Sequence, residues 1–181
     1  MRIILTTILL VVMTNSFAEC VKFTNKNTKV NWTAFKTPAK AGVNGSFTKF
    51  NISAAKKMGN LKDVLIGSTF TINSSSVATK NASRDKKIVK NFFPSVKISG
   101  KVRAIKKGML ITDMVMNGKK VMVPLKYSLN GNNFSAKATI DVLDFMMNKQ
   151  LGAINKACKA LHEGKTWNDV NVEISTEMTS C

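Results

Sequence analysis

Apolar and polar residues alternate in six segments of the chain, so a period of two dominates the sequence. The segments cover residues 30–34, 66–72, 96–102, 121–127, 134–140 and 170–178. Successive side chains of a strand point to opposite faces, so each segment predicts a strand with one apolar and one solvated face. Strands of this kind are typical of antiparallel sheets, in which one face covers a core and the other meets water.

Two Asn-Gly dipeptides lie between neighbouring strand segments. Asn117-Gly118 and Asn130-Gly131 predict two-residue type I′ turns, because both residue types tolerate a positive φ. The turns predict a meander of sequential strands from about Met109 to Ile140. Pro124 lies within it and has no backbone N–H, so we expect a bulge or a gap in pairing there.

Two segments have the spacing of helices. The first is Arg84–Asn91, with Ser83 as the expected N-cap. The second runs from about Asn148 to Glu163 and is followed by Gly164, a usual helix stop. Its apolar stripe consists of Leu151, Ile154, Cys158 and Leu161.

The number of amphipathic strands predicts the fold class. One domain with so many strands would expose long edges as an open sheet, and closure into a barrel removes them. We therefore predict a mainly β, antiparallel barrel of about eight strands with one or two short helices. A barrel of that size has room inside for one slender ligand.

The N-terminus has the features of a cleavable signal peptide. Arg2 precedes an apolar run from Ile3 to Met13, and Ser16-Phe17-Ala18 has the small-residue spacing that signal peptidase reads. The run is shorter than the ~20 residues that a spanning helix needs. We predict a signal peptide at 1–18 and a single domain at 19–181, which begins at Glu19 and is located in the periplasm or secreted beyond it.

The three cysteines, Cys20, Cys158 and Cys181, all lie in the predicted exported part. An oxidising compartment favours one disulfide and leaves one thiol. Cys20 and Cys181 would lie side by side if the first and last strands pair antiparallel. Cys158 is expected to remain a reduced, buried apolar residue of the second helix.

The formal net charge is +18, to which Arg2 contributes one. This charge favours acidic partners, and we expect a loose association with anionic membrane surfaces. Nucleic acid is not expected as a partner, because only Arg2, Arg84 and Arg103 are arginines and lysine cannot reproduce the bidentate arginine fork.

The order of several short motifs resembles one known family. The motifs are Val30–Lys36, Gly42–Phe47, Ile72–Thr79, Arg84-Asp85, Phe92-Phe93, the hairpin at Asn117-Gly118, Ala138–Asp141 and Asp144-Phe145. Together they resemble the YceI-like family of exported bacterial proteins over nearly the whole predicted domain. That resemblance implies a lipocalin-like barrel holding a polyisoprenoid or other long acyl chain in a tunnel.

The sequence departs from the family pattern at two places. Pro94 follows Phe93 directly, where the family usually has Tyr-Pro and a phenylalanine-containing strand. A helix is inserted between Phe145 and Trp167, where many relatives run almost directly into the last strand. We expect this helix to plug one barrel end or to narrow the tunnel.

Catalysis, cofactors and a metal are not expected. His162 is the sole histidine, and one histidine with scattered carboxylates does not make a metal site. Asp141 and Asp144 flank a strand end, where aspartates more often cap or turn the chain than act as a catalytic pair. No nucleophile elbow or phosphate-binding glycine loop occurs in the sequence.

The candidate ligand-binding residues are the inward apolar ones, which either fill a core or line a tunnel. They are Trp32, Phe47, Phe70, Ile72, Phe92, Phe93, Met114, Met116, Leu125, Tyr127 and Phe134. Arg84 is a candidate for the polar mouth, and its alternative role is to hold the loop at the start of a helix. Two functions follow: an exported carrier of a long isoprenoid or lipid, or a solid-cored structural protein whose lysines bind acidic envelope components.

Overall fold

The computed structural model describes residues 20–181. The predicted signal peptide and the predicted new N-terminus at Glu19 lie outside these described residues. Within residues 20–181, no helix has both the length and the apolar character needed to cross a membrane.

The described chain contains twelve strands and three α-helices. The strands are β1 (Cys20–Phe23), β2 (Lys29–Lys36), β3 (Ala41–Phe47), β4 (Phe50–Ser53), β5 (Met58–Asn60), β6 (Thr69–Asn73), β7 (Val77–Ala78), β8 (Lys97–Lys106), β9 (Met109–Met116), β10 (Lys119–Asn130), β11 (Asn133–Asp141) and β12 (Thr166–Ser180). The helices are α1 (Leu61–Leu65), α2 (Ala82–Asn91) and α3 (Asn148–Ala157). Short 3₁₀ helices cover Ser74–Ser76, Val142–Phe145 and Lys159–His162.

All strand pairs are antiparallel, in the order β4-β6-β8-β9-β10-β11-β12-β2-β3-β7, with β1 pairing to both β12 and β5. The sheet is curled into a half-barrel. Two backbone hydrogen bonds extend the pairs at its ends: Thr48 N–H donates to the Ser76 carbonyl at 3.0 Å next to the β3–β7 pair, and Asn73 N–H donates to the Lys49 carbonyl at 2.9 Å next to the β4–β6 pair. The predicted antiparallel, lipocalin-like class is confirmed.

The strand and helix counts exceed the prediction of about eight strands and one or two helices. Eight strands have five residues or more, and the other four have between two and four residues. Elements this short contain too few alternations to produce a pattern in the sequence. The additional helix, α1, has five residues and directly precedes the predicted 66–72 strand, which begins only at Thr69 because residues 66–68 form the turn that follows the helix.

The Asn117-Gly118 turn is confirmed, because Met116 pairs with Lys119 and both turn residues have positive φ, 53° and 73°. The second turn is shifted by one residue. Asn130 is still paired, with Asn133, so the turn residues are Gly131 and Asn132.

Pro124 lies beside a gap in pairing, as expected. It pairs regularly with Ile111 of β9, but β10 pairs with β11 only from Lys126 onward. The missing N–H of the proline therefore costs no ladder hydrogen bond toward β11.

Helix α2 begins two residues earlier than predicted, and the capping residue differs. The Asn81 side chain, not Ser83, accepts a hydrogen bond from Arg84 N–H, at 2.9 Å. Asparagine and serine are nearly equivalent N-caps, so the sequence alone did not separate the two positions. The second predicted helix is α3, which ends at Ala157 and is followed by the 3₁₀ helix.

The Cys20–Cys181 disulfide is present, with 5.4 Å between the two Cα atoms. It follows from the pairing of β1 with β12, in which Val21 lies opposite Ser180. Cys158 is reduced and buried at the end of α3, as expected.

The interior has a filled part and an open part. The part toward the disulfide end is filled by apolar side chains, including Val21, Val102, Leu110, Phe134 and Met178, each at most 8 % exposed. Helices α2 and α3 contact each other at the other end and cover the open part. The candidate site lies there.

Candidate functional site

A cavity of about 460 Å³ lies between the inner face of the curled sheet and the helices α2 and α3. Its floor is formed by side chains of β6, β8, β9 and β10, and its sides by β2 and β12. The inward residues Val170, Val172 and Ile174 of β12 are only partly buried, because they face this open space. The volume is in the range of small-molecule sites, ~300–1,000 Å³.

Two aromatic–glycine pairs leave space above the inner face of the sheet. Trp32 lies directly opposite Gly45 in the β2–β3 register, and Phe70 directly opposite Gly100 in the β6–β8 register. A Cβ at Gly45 would lie 2.1 Å from Trp32 Cζ2, and one at Gly100 would lie 2.4 Å from Phe70 Cε1. Each ring therefore lies across a glycine and close to the backbone, which leaves space above it.

An aromatic chain forms one wall of the cavity. Ring centroids are 6.5 Å apart for Trp32 and Phe47, 5.7 Å for Phe47 and Phe93, and 4.9 Å for Phe92 and Phe93. The last two pairs are edge-to-face, a favourable arrangement of aromatic quadrupoles. The pair after α2 is thereby fixed to the sheet through Phe47, and Phe92 remains half-buried at the cavity surface.

The structure brings nine of the eleven candidate ligand-binding residues to this one cavity. They are Trp32, Phe47, Phe70, Ile72, Phe92, Phe93, Met114, Met116 and Leu125. Tyr127 and Phe134 do not line it. They stack on each other in the filled part of the interior, with ring centroids 6.2 Å apart, although they share the inward face with Leu125.

Sequence reasoning missed the cavity residues contributed by the last third of the chain. Helix α3 and its C-cap supply Leu151, Ile154 and Cys158, and β12 supplies Val170, Val172 and Ile174. Both sets had a signal, since the first is the apolar stripe of the helix and the second the inward face of the strand. The missing information was that this helix and this strand face each other across the same space.

The opening of the cavity is polar and positively charged. Arg84 is exposed, and Lys36 and Lys87 are half-buried. Asp85, next to Arg84, is turned away to Thr79, whose backbone N–H and hydroxyl donate to Oδ1 at 2.9 and 2.6 Å. The carboxylate of Asp85 thus holds the loop, while Arg84 is one of the residues that line the cavity.

His162 also lines the opening. Thr166 Oγ1 donates to Asn155 Oδ1 at 3.0 Å and lies 2.7 Å from His162 Nδ1, so Nδ1 carries the proton and donates to the hydroxyl. Burial and then the positive charge of Lys36 lower the pKa of His162 below 6.5. The imidazole is therefore neutral at pH 7. Among residues 20–181 no cluster of three or more potential metal ligands occurs.

Asp141 is the N-cap of the 3₁₀ helix that follows β11. Its Oδ1 accepts from Leu143 N–H at 2.8 Å and its Oδ2 from Asn168 Nδ2 at 2.6 Å. Asp144 is exposed. The carboxylate of Asp141 is thus occupied in holding the strand end.

Similar folds occur in several solved structures. A polyisoprenoid-binding domain from Saccharophagus degradans, implicated in plant cell wall breakdown, matches with a TM-score of 0.57 and 11% identity, over 89% of this chain and 98% of that domain. BcnA of Burkholderia cenocepacia has a TM-score of 0.57 and 13% identity, with coverage of 87% and 99%. The YceI protein of Campylobacter jejuni has a TM-score of 0.53 and 17% identity, with coverage of 78% and 86%.

A comparison with curated proteins found no match. The YceI-like domain, by contrast, matches residues 22–178, which is nearly all of the described chain. The match ends three residues before Cys181 and includes both the aromatic–glycine pairs and the two helices over the cavity. The chain belongs to the YceI-like family.

Proposed function

We propose that the protein is an exported, non-enzymatic carrier of a long apolar chain, a polyisoprenoid or fatty-acyl chain, held in the cavity under α2 and α3. The observation that best supports this proposal is the cavity. It has a volume of about 460 Å³ and is lined mainly by aliphatic, methionine and aromatic side chains. Transfer of a chain from water to such a wall gains ~0.8 kcal/mol per buried CH₂. Met114 and Met116 on the floor suit a chain of variable shape, because thioethers adapt to their contacts.

Two further observations support this proposal. One similar structure is a polyisoprenoid-binding domain, which supports an isoprenoid chain as ligand. The Cys20–Cys181 disulfide supports an oxidising compartment, in agreement with the predicted signal peptide and a periplasmic location. The open cavity is not what the solid-cored alternative requires.

The first experiment identifies the cargo. Protein purified from its native host is extracted with organic solvent, and the lipid fraction is analysed by mass spectrometry. We expect one class of long-chain compound at near-stoichiometric amounts. Protein that is free of lipid, and that takes up no long-chain probe after purification, would contradict the carrier function.

A matched pair of substitutions tests the cavity directly. Phe70→Trp adds volume at the cavity floor and is expected to block uptake of a fluorescent long-chain probe with little loss of stability. Phe134→Trp adds the same volume in the filled part, where overpacking costs ~1–3 kcal/mol. We expect it to lower the melting temperature and to leave uptake intact in the folded protein. Equal destabilisation by both variants would mean that Phe70 borders no usable space.

A further inference from the structure

The outer, convex face of the sheet has an apolar surface on the strands β9 and β10. Every second residue of β9 is buried, so the residues between them point outward, and three of these four are apolar. On β10, Pro124 lies opposite Ile111, and Met122 is 66 % exposed. The outward apolar residues of the two strands form what we call the outer apolar patch: Met109, Ile111, Val115, Met122 and Pro124.

Two more exposed apolar side chains lie next to one end of this patch. The 3₁₀ helix Val142–Phe145 contacts β10, and the side chain of Asn117, in the turn between β9 and β10, donates to the Met146 carbonyl at 3.2 Å. Leu143 is 40 % exposed and Met146 is 67 % exposed. Three of the six exposed large apolar side chains within residues 20–181 therefore lie in this one region. Such clustering marks an interaction surface, whereas single exposed apolar residues are ordinary.

Basic side chains surround the outer apolar patch. Four exposed lysines occupy outward positions of β8 and β10 beside β9, and they are Lys101, Lys106, Lys120 and Lys126. The carboxylate on these three strands is that of Asp113, whose Oδ2 lies 3.0 Å from Arg103 Nε. Among the ion pairs of residues 20–181, none contains any of the four lysines. The patch thus has a cationic rim that no carboxylate neutralises.

From this arrangement we infer that the outer apolar patch binds the surface of an anionic lipid bilayer, with its apolar side chains in the interface and its lysines against the head groups. An apolar surface with a basic rim is the composition that binds at the boundary between head groups and acyl chains. Lysines near an anionic leaflet add electrostatic attraction to this burial.

The shape of the patch favours a bilayer over a protein as the partner. An acidic protein would also pair with the lysines, but it would need a matching concave surface to cover Met122 and Pro124. A fluid bilayer needs none, because its lipids rearrange around protruding side chains. The inference does not depend on the carrier function, since the patch lies on the side of the sheet that faces away from the cavity.

Vesicle flotation tests the inference. The protein is incubated in about 0.15 M salt with vesicles of phosphatidylglycerol and phosphatidylcholine, or of phosphatidylcholine alone. We expect binding to the anionic vesicles to exceed binding to the neutral ones by at least about tenfold, because each basic residue near an anionic leaflet contributes roughly fivefold. The binding should weaken as the salt concentration is raised.

Met122→Gln and Met58→Gln form a matched pair that tests the apolar contribution. The Met58 side chain is 53 % exposed and lies on β5, outside the patch. We expect Met122→Gln to weaken binding to the anionic vesicles about fivefold, which corresponds to the loss of roughly one to two buried CH₂ groups. Met58→Gln should leave the binding unchanged.

Two triple variants test the cationic rim. Lys101→Gln/Lys120→Gln/Lys126→Gln should weaken binding to the anionic vesicles by at least about tenfold. The control, Lys22→Gln/Lys57→Gln/Lys62→Gln, removes the same charge from exposed positions outside the patch and should stay within about threefold of the unsubstituted protein. None of the substituted residues lines the cavity, so uptake of a long-chain probe in solution should be unchanged in all four variants.

Absence of binding to anionic vesicles, or equal losses in the patch variants and their controls, would overturn the inference and leave the carrier function standing. Binding to soluble polyglutamate that is equally sensitive to Met122→Gln would overturn it in favour of an acidic protein partner. Vesicle binding that follows the expected pattern, in a protein that takes up no long-chain probe, would refute the carrier function alone.

Discussion

Substitution of Gly45 by alanine tests whether the space above Trp32 is usable. The new Cβ would lie 2.1, 2.5 and 2.7 Å from Cζ2, Cε2 and Cη2 of the indole. Ordinary contact begins at about 3.4 Å, so the ring must move by at least about 1 Å. Gly45 does not have a positive φ, so alanine fits the backbone conformation. The clash must therefore be relieved by movement of the Trp32 ring. The free direction is away from the sheet and into the cavity.

The expected size of the effect differs between the two readings of the interior. In a filled core this clash would cost ~1–3 kcal/mol. With space above the ring, most of this destabilisation does not occur. Alanine also stabilises the folded state by ~0.4–1 kcal/mol, because it lowers the conformational entropy of the unfolded chain. We therefore expect a net change in unfolding free energy within about 1 kcal/mol, or ~2–4 °C in Tm for a chain of this size.

Ligand binding should change much more than stability does. A ring that excludes two methylenes of the cargo, at ~0.8 kcal/mol each, weakens binding by about tenfold. Urea unfolding and titration with a fluorescent long-chain probe measure the two effects on the same protein. Gly42→Ala is the control on the same strand, because its Cβ would meet Thr33 Cγ2 at 3.3 Å and Phe35 at 3.8 Å without touching Trp32. Unchanged uptake by Gly45→Ala, or a loss of stability at the filled-core value, would refute this reasoning.

Three further predictions follow from the cysteines and the histidine. Replacing Cys20 and Cys181 by serine should lower the unfolding free energy by up to about 5 kcal/mol, given the separation of 161 residues, and a loss below ~1 kcal/mol in urea unfolding would contradict the loop-entropy account. The folded pKa of His162 lies below the unfolded value of 6.5, so stability should fall as the pH drops through 6.5 toward the folded pKa. Thermal melts of His162→Gln should show a smaller fall over that range, and an identical fall would assign it to other groups. Bound cargo should slow the reaction of the Cys158 thiol with a thiol reagent, because Cys158 lines the cavity, and an unchanged rate would place the cargo elsewhere.

The alternation of residues predicted the inward face of each long strand but not the depth of each residue along the barrel. Leu125 and Tyr127 are two positions apart on the same face of β10, yet only Leu125 borders the cavity. Depth depends on the tilt and stagger of the strands, which sequence periodicity does not specify. Tyr127 and Phe134 therefore lie on the predicted inward face but outside the cavity.

Local alternatives of nearly equal energy account for other differences. Ile66 continues an alternating pattern with Phe70 and Ile72, but it is the C-cap residue of α1 and is 40 % exposed. The Asn60 side chain accepts from Asp63 N–H at 3.0 Å and thereby caps α1. The turn that follows this helix occupies residues 66–68, so the strand begins at Thr69 although the period of two in the sequence begins at Ile66.

The division of the interior into a filled and an open part also constrains how cargo can be exchanged. Side chains such as Phe134 and Met178 fill the interior toward the disulfide, so within residues 20–181 the cavity does not continue to that end of the barrel. A chain carried in it would enter and leave past Leu161 and the basic residues at the opening. Loading and unloading would then use the same opening. A donor and an acceptor of the chain would therefore have to bind there one after the other. The rate of release should depend on the length of chain withdrawn.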